Sequence, residues 1–385
     1  MRILKNKIDY ILKHNTLIQC LYKSLMSFFF RLIGKFISID EKLILFNAHG
    51  RKYNDSPREI FEYMLEEKRF LEFKFVWALD NPEEYAIPRC SKVKMDTMKY
   101  FITALKAKYW ISCVNIERGL HFKKDKTIYL NTWHGIPLKL IGNAVRGRED
   151  FDFSKIDIFC YSSEYEKEIY KRDFKVLEDN LILTGLPRND ELYHVSDMQI
   201  AEYKKILNIP NNRKVILYAP TWRDSKDNGK TYSIEPPLDF SYWLKELGDE
   251  YVILLRTHAY TNQIKGVNFN DFVRDFSDYH HINHLLIIAD ILISDYSATI
   301  FDYSILEKPI ICFGYDYNNY FKERGFYIDL EEGLPSGVLK SQEEVIEKIK
   351  SLDYELECKK VAVFKRKYVT VGGNATEKCV KALNI

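Results

Sequence analysis

Short apolar runs alternate with helical patterns along most of the chain, and this alternation limits the possible folds more than any other feature. From residue 43 onward the runs are almost continuously apolar, as in LILFNAHG, FKFVWALD, YWISCV, TIYLNTW and IDIFCYSS. Helical patterns lie between several of them, for example at residues 57–69 and 97–107. Buried strands separated by helices predict a parallel sheet with helices on both faces.

A second series of the same kind follows the polar stretch 196–213, with KVILYAPTW, YVILLRTH, HLLIIADILISD and PIICFGYD as its strand candidates. At 385 residues the chain is also longer than one hydrophobic core usually supports. We therefore predict an α/β protein of two Rossmann-like domains, at 41–195 and 196–385, with a C-terminal helix in the second. The expected ligand site is a central cleft, because open parallel sheets bind ligands beyond the carboxyl ends of their strands.

The first 40 residues form a separate basic segment. Residues 1–36 carry seven Lys or Arg and one acid, Asp9, with apolar runs such as SLMSFFF between the charges. Because the uncharged runs are far shorter than the roughly 18 apolar residues that span a bilayer, we predict that the segment does not cross a membrane. A basic amphipathic helix suits the surface of an anionic leaflet. The alternative is an ordinary helix packed on the first domain.

Composition and missing motifs exclude several classes of function. The net charge of +2 does not indicate nucleic-acid binding. The seven cysteines include no C-x-x-C pair, which argues against a disulfide framework or a zinc site. The N-terminus lacks the pattern of a secretory signal, so the reducing cytoplasm is the expected compartment. P-loop, dinucleotide and hydrolase motifs are missing; no cofactor is required, although a divalent metal is compatible with the sequence.

One polar cluster, ISDYSATIFDYS, follows a strand candidate and should reach the cleft. Asp295 can cap a helix here, and Ser297 and Thr299 then lie in its first turn, where backbone N–H groups favour a phosphate. Asp302 is placed to accept a hydrogen bond from a ligand hydroxyl, or else it holds the loop. The alternative for the whole cluster is a helix cap without a ligand.

Two basic clusters also follow strand candidates. In LLRTH, Arg256 and His258 lie two residues apart and face the same side of a buried strand. A buried arginine needs a partner, which is either an internal carboxylate or a ligand phosphate. In YAPTWRD, Thr221 and Arg223 are candidates for the same ligand. A tryptophan packed in the domain seam beside an exposed arginine is the alternative.

His134, in NTWHGIPLK, has the strongest claim to chemistry among the nine histidines. A neutral imidazole can take a proton from an attacking hydroxyl, and Gly135 would let a substrate approach closely. The alternative is a structural histidine at the end of a strand.

Taken together, NTWHGIPLK, GLPRND, LYAPTWRD, LLRTH, ISDYSATIFDYSILEKPIICFGYD and ERGFY resemble the CDP-glycerol glycerophosphotransferase family of teichoic acid and capsule synthesis. The resemblance implies a GT-B-like fold, with an acceptor domain followed by a CDP-polyol-binding domain. It implies that His134 is the catalytic histidine and His258 a second essential one, with Arg256 and residues 297–299 balancing the charge of the pyrophosphate. The donor would be CDP-glycerol or CDP-ribitol, the acceptor a lipid-linked glycan or polyol-phosphate chain, and the released product CMP.

The resemblance also implies a peripheral enzyme on the cytoplasmic face of the bacterial cell membrane. Two positions depart from the family pattern: Ile136 stands where Thr is usual, and Gly373 where Asp is usual, which puts a contact of the C-terminal segment in doubt. The short chain favours a primase-like transferase over a polymerase. Two other functions remain open, a GT-B glycosyltransferase that binds sugar hydroxyls through Asp302 or Asp316, and a non-catalytic membrane-associated nucleotide-binding protein. The sequence leaves the oligomeric state open.

Overall fold

Two parallel sheets organise the protein, which we describe from a computed structural model over residues 15–148, 151–221, 223, 233–234, 237–257, 263–264 and 267–385. The first sheet has the order β3-β2-β1-β4-β5-β6-β7, and all its neighbouring strands are parallel. Its strands are Asp40–Asn47 (β1), Lys74–Leu79 (β2), Cys90–Lys94 (β3), Ala107–Ser112 (β4), Ile128–Asn131 (β5), Ile158–Tyr161 (β6) and Leu181–Leu183 (β7).

Helices cover both faces of this first sheet. Along β1, Leu45 belongs to one core together with Trp110, whereas Phe46 belongs to the opposite core together with Trp77. Successive residues of a strand point to opposite faces, so a strand buried on both sides must be apolar throughout. The helices of this half are Thr16–Gly34 (α1), Asp55–Glu66 (α2), Met98–Lys106 (α3) and Glu164–Phe174 (α4), followed by a 3₁₀ helix at Pro187–Tyr193. The next helix, Asp197–Ile206 (α5), packs Ile200 and Tyr203 on the core of the second sheet's half.

The second sheet has the order β12-β10-β8-β13-β14-β15 and is also parallel throughout. Its strands are Lys214–Ala219 (β8), Tyr251–Leu255 (β10), Val273–Asp275 (β12), Ile291–Ser294 (β13), Ile310–Phe313 (β14) and Val338–Leu339 (β15), and Ser233–Ile234 (β9) pairs with Gln263–Ile264 (β11) separately. The helices are Phe240–Leu247 (α6), Ile282–Ile288 (α7), Thr299–Ser304 (α8), Tyr317–Arg324 (α9), Leu330–Gly333 (α10), Gln342–Lys350 (α11), Tyr354–Tyr368 (α12) and Ala375–Ala382 (α13). The predicted α/β class with two parallel sheets is confirmed.

The strand candidate HLLIIADILISD was wrong in its first half. Its residues up to Ile288 form helix α7, and only residues from Ile291 onward form strand β13. Four consecutive residues of the helix, Leu285 to Ile288, are all buried. A short helix buried on every side gives the same continuous apolar run as a buried strand, so periodicity cannot separate the two.

The last helix, α13, crosses back to the first sheet. Cys379, Val380 and Leu383 join the same core as Phe46, and the Sγ atom of Cys379 lies 3.3 Å from that of Cys160 in β6. Residues 369–374 therefore form a second connection between the two halves of the protein, and they lead the chain from the second half back to the first.

Helix α1 packs one side against the first sheet's helices. Asn15 caps its start by accepting a hydrogen bond from the N–H of Ile18, and Phe30 is buried against Phe101, with ring centroids 4.4 Å apart. Residues 17–34 are long and apolar enough to cross a membrane by length and composition alone, a test that core helices and signal sequences also pass. The sequence criterion of uncharged runs was therefore too strict, because this stretch includes two basic residues.

Candidate active site

Charged and polar side chains from both sheets meet at one junction. Arg188, at the start of the 3₁₀ helix, donates from Nη1 to the carbonyl oxygen of His134 at 3.1 Å. Its Nη2 donates to Oδ2 of Asp302, in α8, at 2.6 Å. His134 and Asp302 were predicted to reach a common cleft, and the structure joins them through an arginine that the prediction did not single out.

His134 is held as a neutral imidazole. Its Nδ1 lies 2.8 Å from the carbonyl oxygen of Cys113, and because that oxygen can only accept, the proton is assigned to Nδ1. Burial and the adjacent His49 lower the pKa of His134 to about 3. The ring of His49 stacks on it, with centroids 4.8 Å apart. At neutral pH, Nε2 of His134 is therefore an unprotonated nitrogen that can accept a proton.

Asp55 places a negative charge beside these two histidines. Its Oδ2 lies 3.1 Å from Nη1 of Arg188. Burial alone would raise the pKa of Asp55, but Arg188, the N–H of Ser56 and the two histidines lower it below its ordinary value. The residue has a φ of 59°, a left-handed conformation that is strained for a side chain other than glycine and that is found preferentially at functional sites.

Gly135 lets the two domains approach each other. Its φ is +136°, and a Cβ atom added there would lie 3.0 Å from the Cβ of Ala298 and 3.2 Å from Nη2 of Arg188. The predicted reason for this glycine was the approach of a substrate. The structure gives a different reason, which is the close contact between the His134 loop and the segment before α8.

Asp302 uses both carboxylate oxygens within the protein. Oδ2 accepts from Arg188, and Oδ1 accepts from Nδ2 of Asn189 at 2.7 Å. Of the two roles predicted for this residue, the structure shows the one that holds neighbouring segments.

Asp295 does not cap helix α8, contrary to the prediction. Its Oδ1 instead accepts from the N–H groups of Tyr296 at 2.6 Å and Thr221 at 2.8 Å. The helix begins at Thr299 and is only six residues long, so its dipole offers little to a phosphate. Thr299 opens the helix and Ser297 precedes it, so only Thr299 lies in the first turn where both were predicted. The hydroxyl of Ser297 donates to that of Thr299 at 3.0 Å, and the predicted phosphate contact of both residues stays a prediction.

Thr221 is buried beside Asp295, at the end of β8. Its Oγ1 has no hydrogen-bond partner among the described residues. A buried hydroxyl without a partner is unusual, so the Thr221 side chain stays a candidate for contact with a ligand.

Arg223 is enclosed by protein groups rather than exposed. It forms two hydrogen bonds to Asp316, at 2.7 and 2.9 Å, and an ion pair with Asp295 at 3.0 Å. Burial alone would lower the pKa of Arg223, but these carboxylates raise it. Three aromatic rings surround the guanidinium within 5.3 Å, those of Tyr296, Tyr315 and Tyr320. The sequence allowed either an exposed Arg223 side chain or one that binds a ligand phosphate directly. Neither alternative fits well, because the guanidinium is enclosed by protein and already paired with carboxylates.

Among the described residues, Arg256 contacts backbone carbonyls and not the internal carboxylate that was one of its two predicted partners. Its Nη1 donates to the carbonyl oxygens of Phe276 at 2.8 Å and of Tyr279, and among the described residues no carboxylate forms an ion pair with it. Burial lowers the pKa of Arg256, and Asp278 opposes this only in part. The other member of this pair, His258, lies outside the described residues, as does Trp222.

The two positions that depart from the family pattern lie in contacts between the domains. Ile136 is 1% exposed and shares a core with Tyr296 of the second sheet's half. The carbonyl of Gly373, where φ is 80°, accepts from Nε2 of His194 at 2.7 Å. The departure at Gly373 put a contact of the C-terminal segment in doubt, and the structure shows that this segment contacts the first domain through His194.

Sequence reasoning missed three residues of the junction: His49, Asp55 and Arg188. One signal was present, because FNAHG at the end of β1 repeats the pattern of NTWHG at the end of β5. Another was GLPRND, which contributed to the family resemblance without a role for its arginine. Their convergence depends on contacts between distant segments, which the local pattern does not encode.

Within the part of the chain that the structure describes, no group of three or more His, Cys, Asp or Glu side chains is arranged to hold a metal ion. Whether the reaction needs a metal is a separate question, and metal independence stays a prediction.

Comparison with known proteins gives a consistent set of relatives. Residues 27–384 match the family described as CDP-glycerol:poly(glycerophosphate) glycerophosphotransferase. The chain is 33% identical over 374 residues to a teichoic acid glycerol-phosphate transferase of Staphylococcus aureus, covering 91% of each chain. It is 35% identical over 337 residues to a teichoic acid poly(glycerol phosphate) polymerase of Staphylococcus epidermidis, covering 82% of this chain and 46% of the polymerase. It thus matches most of the transferase but less than half of the polymerase.

A solved structure of the wall teichoic acid polymerase TagF has the same architecture. The TM-score is 0.83 at 31% identity, with 98% of this chain and 97% of that chain covered. A histidine variant of TagF has also been solved after soaking with CDPG. This agreement confirms the GT-B-like fold that the sequence resemblance implied.

Proposed function

The chain belongs to the CDP-glycerol:poly(glycerophosphate) glycerophosphotransferase family, and from this premise we propose that it transfers glycerol phosphate from CDP-glycerol to a hydroxyl of a teichoic acid chain, with release of CMP. The observation that carries the proposal is the position of His134. A neutral imidazole stands at the domain junction, and the next residue touches Ala298, between the two hydroxyls assigned to the donor phosphates.

His134 acts as the general base in this proposal. The oxygen of the acceptor hydroxyl attacks the glycerol-side phosphorus of CDP-glycerol, a new P–O bond forms, and the P–O bond to CMP breaks, so that CMP leaves with the electron pair. Nε2 of His134 takes the hydroxyl proton, and the carboxylate of Asp55 stabilises the resulting imidazolium. A positioned base of this kind contributes roughly 10²- to 10⁴-fold to the rate.

Arg256 supplies positive charge for the donor pyrophosphate. Its N–H groups at Nη1 donate to backbone carbonyls, which orient the guanidinium without neutralising it. Burial disfavours its charged form, so a bound phosphate would relieve an unfavourable state. Thr221, Ser297 and Thr299 add hydroxyl groups, and His258 joins this set on the strength of the sequence resemblance.

Arg223 has a different part in the donor site. Its charge is paired with Asp295 and Asp316, so we assign it to holding the end of β8 against the loop after β14. CDP-ribitol is the nearest competing donor because it differs from CDP-glycerol only in the polyol.

Helix α1 attaches the enzyme to an anionic membrane surface, where a lipid-linked acceptor lies. A stripe of large apolar side chains is exposed along its outer side, at Leu17, Leu21, Leu25, Phe28 and Leu32. Lys23, Arg31 and Lys35 accompany the stripe with positive charge. Because Phe30 on the opposite side is buried in the first domain, the helix lies on the surface of the membrane in this proposal and does not cross it.

The test measures CMP release from the purified chain, offered CDP-glycerol, CDP-ribitol and a UDP-sugar in turn, with a lipid-linked acceptor and with EDTA. We expect acceptor-dependent CMP from CDP-glycerol in the presence of EDTA. His134→Ala should lower kcat by about 10²-fold or more while CDP-glycerol still binds.

His280→Ala is the matched control, because this histidine is exposed and has no role in the proposed reaction; its kcat should equal that of the wild type. Release of UDP in place of CMP would assign the chain to nucleotide-sugar chemistry. Full activity of His134→Ala would remove the base from the mechanism, and loss of activity in EDTA, restored by Mg²⁺, would refute metal independence.

A further inference from the structure

One ion pair crosses the junction between the two domains and reaches the loop of the proposed base. Nη2 of Arg188 donates to Asp302 at 2.6 Å, and Asn189 donates to the other carboxylate oxygen at 2.7 Å. Asp302 is 6% exposed. With both oxygens engaged by protein donors, this carboxylate is committed to the junction.

The other side of Arg188 holds the first domain. Nη1 donates to the carbonyl oxygen of His134 and to the carboxylate of Asp55, each at 3.1 Å. Its backbone N–H lies 3.3 Å from Oγ of Ser56. Burial alone would lower the pKa of Arg188, but Asp302 and Asp55 raise it. The guanidinium is therefore permanently charged and is shared between two carboxylates on opposite sides of the junction.

From these contacts we infer that Arg188 and Asp302 are positioning residues for the transfer reaction, and we name their ion pair the junction latch. The latch fixes the backbone of His134 relative to α8, and with it the distance between the proposed base and the hydroxyls of Ser297 and Thr299. This inference rests on the proposed function. It replaces the sequence-based role of Asp302 as a partner of a ligand hydroxyl.

The neighbouring contacts explain why a latch would matter here. Gly135 approaches Ala298 so closely that even a methyl group would lie 3.0 Å away. Farther along the same loop, the N–H of Leu140 donates to the carbonyl of Gly325 at 3.2 Å, and Leu138 accepts from Tyr327 at 3.0 Å. The loop is thus held to the second domain at both ends, and the latch is the charged contact at the end that carries the base. A displacement of about 1 Å at such a site can lower the rate by about 10²-fold.

Asp302→Asn tests the latch because it keeps the size of the side chain and removes the charge. We expect kcat for CMP release to fall by about 10²-fold, with KM for CDP-glycerol within threefold of the wild-type value. Arg188→Lys keeps a charge but loses the two-pronged contact, so it should show the same split between kcat and KM. The matched control is Glu357→Gln, which breaks the ion pairs of a buried carboxylate with Lys348 and the exposed Lys360 inside the second domain; its kcat should not change.

A double-mutant cycle separates the latch from two independent effects. Once Asp302→Asn has weakened the pair, adding Arg188→Lys, which keeps a positive charge beside Asp55, should lower kcat less than twofold further. Multiplicative losses would overturn the latch. So would an Asp302→Asn variant with raised KM and unchanged kcat, because that result assigns the carboxylate to the ligand.

Hydrogen exchange gives a readout that does not depend on activity. Backbone amides of residues 134–141 should exchange about tenfold faster in Asp302→Asn than in the wild type, while Glu357→Gln leaves them unchanged. Unchanged exchange in Asp302→Asn would overturn the latch even if the variant were inactive. An inactive wild type with the expected change in exchange would instead refute the proposed reaction and retain the latch.

Discussion

Replacing Gly135 by Ala tests whether the approach of the two domains at this residue sets the catalytic geometry. The added Cβ would lie 3.0 Å from the Cβ of Ala298 and 3.2 Å from Nη2 of Arg188. Neither neighbour can easily withdraw, because one precedes a buried helix and the other is held by two ion pairs. The loop carrying His134 must move instead, so both stability and turnover should fall.

The magnitude follows from two terms. An alanine at a φ of +136° is strained by about 1–3 kcal/mol, and overpacking of a tight contact costs about 1–3 kcal/mol more. Gly147→Ala is the matched control, because its φ is +79° and no described atom lies within 4 Å of the added Cβ. It shows the strain of an alanine at a positive φ without a close contact, whereas Ala298→Gly in the Gly135→Ala background measures the contact itself.

The assay combines urea unfolding, followed by tryptophan fluorescence, with initial rates of CMP release. Gly135→Ala should be about 1–3 kcal/mol less stable than Gly147→Ala and should lose about tenfold in kcat. Adding Ala298→Gly to Gly135→Ala removes the methyl group on the other side and should recover most of the difference, with Ala298→Gly alone as reference. If Gly135→Ala and Gly147→Ala match in both stability and kcat, the close approach has no role in catalysis.

Two further predictions concern stability and membrane binding. Burial raises the pKa of Glu166 to about 7 from its ordinary value of 4.5. Between these two pH values the native state holds a proton that the unfolded state releases. The free energy of unfolding should therefore fall by up to about 1.4 kcal/mol per pH unit from pH 4.5 to pH 7 and level off above pH 7. Glu166→Gln should abolish this slope in urea unfolding, and equal slopes in both proteins would refute the assignment. Phe28→Ser, on the exposed side of α1, should weaken co-sedimentation with anionic vesicles, while its free energy of unfolding stays within about 0.5 kcal/mol of the wild-type value. Phe30→Ala, on the buried side, should instead lower the free energy of unfolding by about 3–5 kcal/mol. If Phe28→Ser sediments with the vesicles as fully as the wild type, the apolar stripe has no role in membrane binding.

The sheets were predictable because their signal is local. The run around Leu45 and Phe46 is apolar at every position, and only a strand covered on both faces buries such a run within a few residues. The same rule failed at residues 285–288, where a fully buried helix gives an identical pattern. Only the length of the apolar run could have distinguished this helix from a strand. The strand that begins at Ile291 follows so closely that the helix and the strand look like a single run.

The site was predictable only as a set of separate motifs. The chemistry of His134 follows from its residue type and from its place after a strand. Its neighbours His49 and Arg188 lie 85 and 54 residues away in sequence, and nothing in their own motifs states that they meet. The sequence left two roles open for Asp302 for the same reason, since a carboxylate paired with a distant arginine has the same local pattern as one that binds a ligand.

The electrostatics of the junction connect its stability to its geometry. Asp55, Arg188 and Asp302 are buried charges, and apolar side chains of similar size would hold two domains together at least as well. Once the charges are present, however, removing one leaves another uncompensated, at a cost of about 3–5 kcal/mol. The junction therefore strongly disfavours arrangements that separate these groups. An apolar seam tolerates small sliding motions, whereas a shared guanidinium with fixed donor directions does not. The buried charges therefore hold the two domains in one relative position. The proposed reaction needs such a fixed position, because His134 must lie at a set distance from a phosphate bound by the other domain.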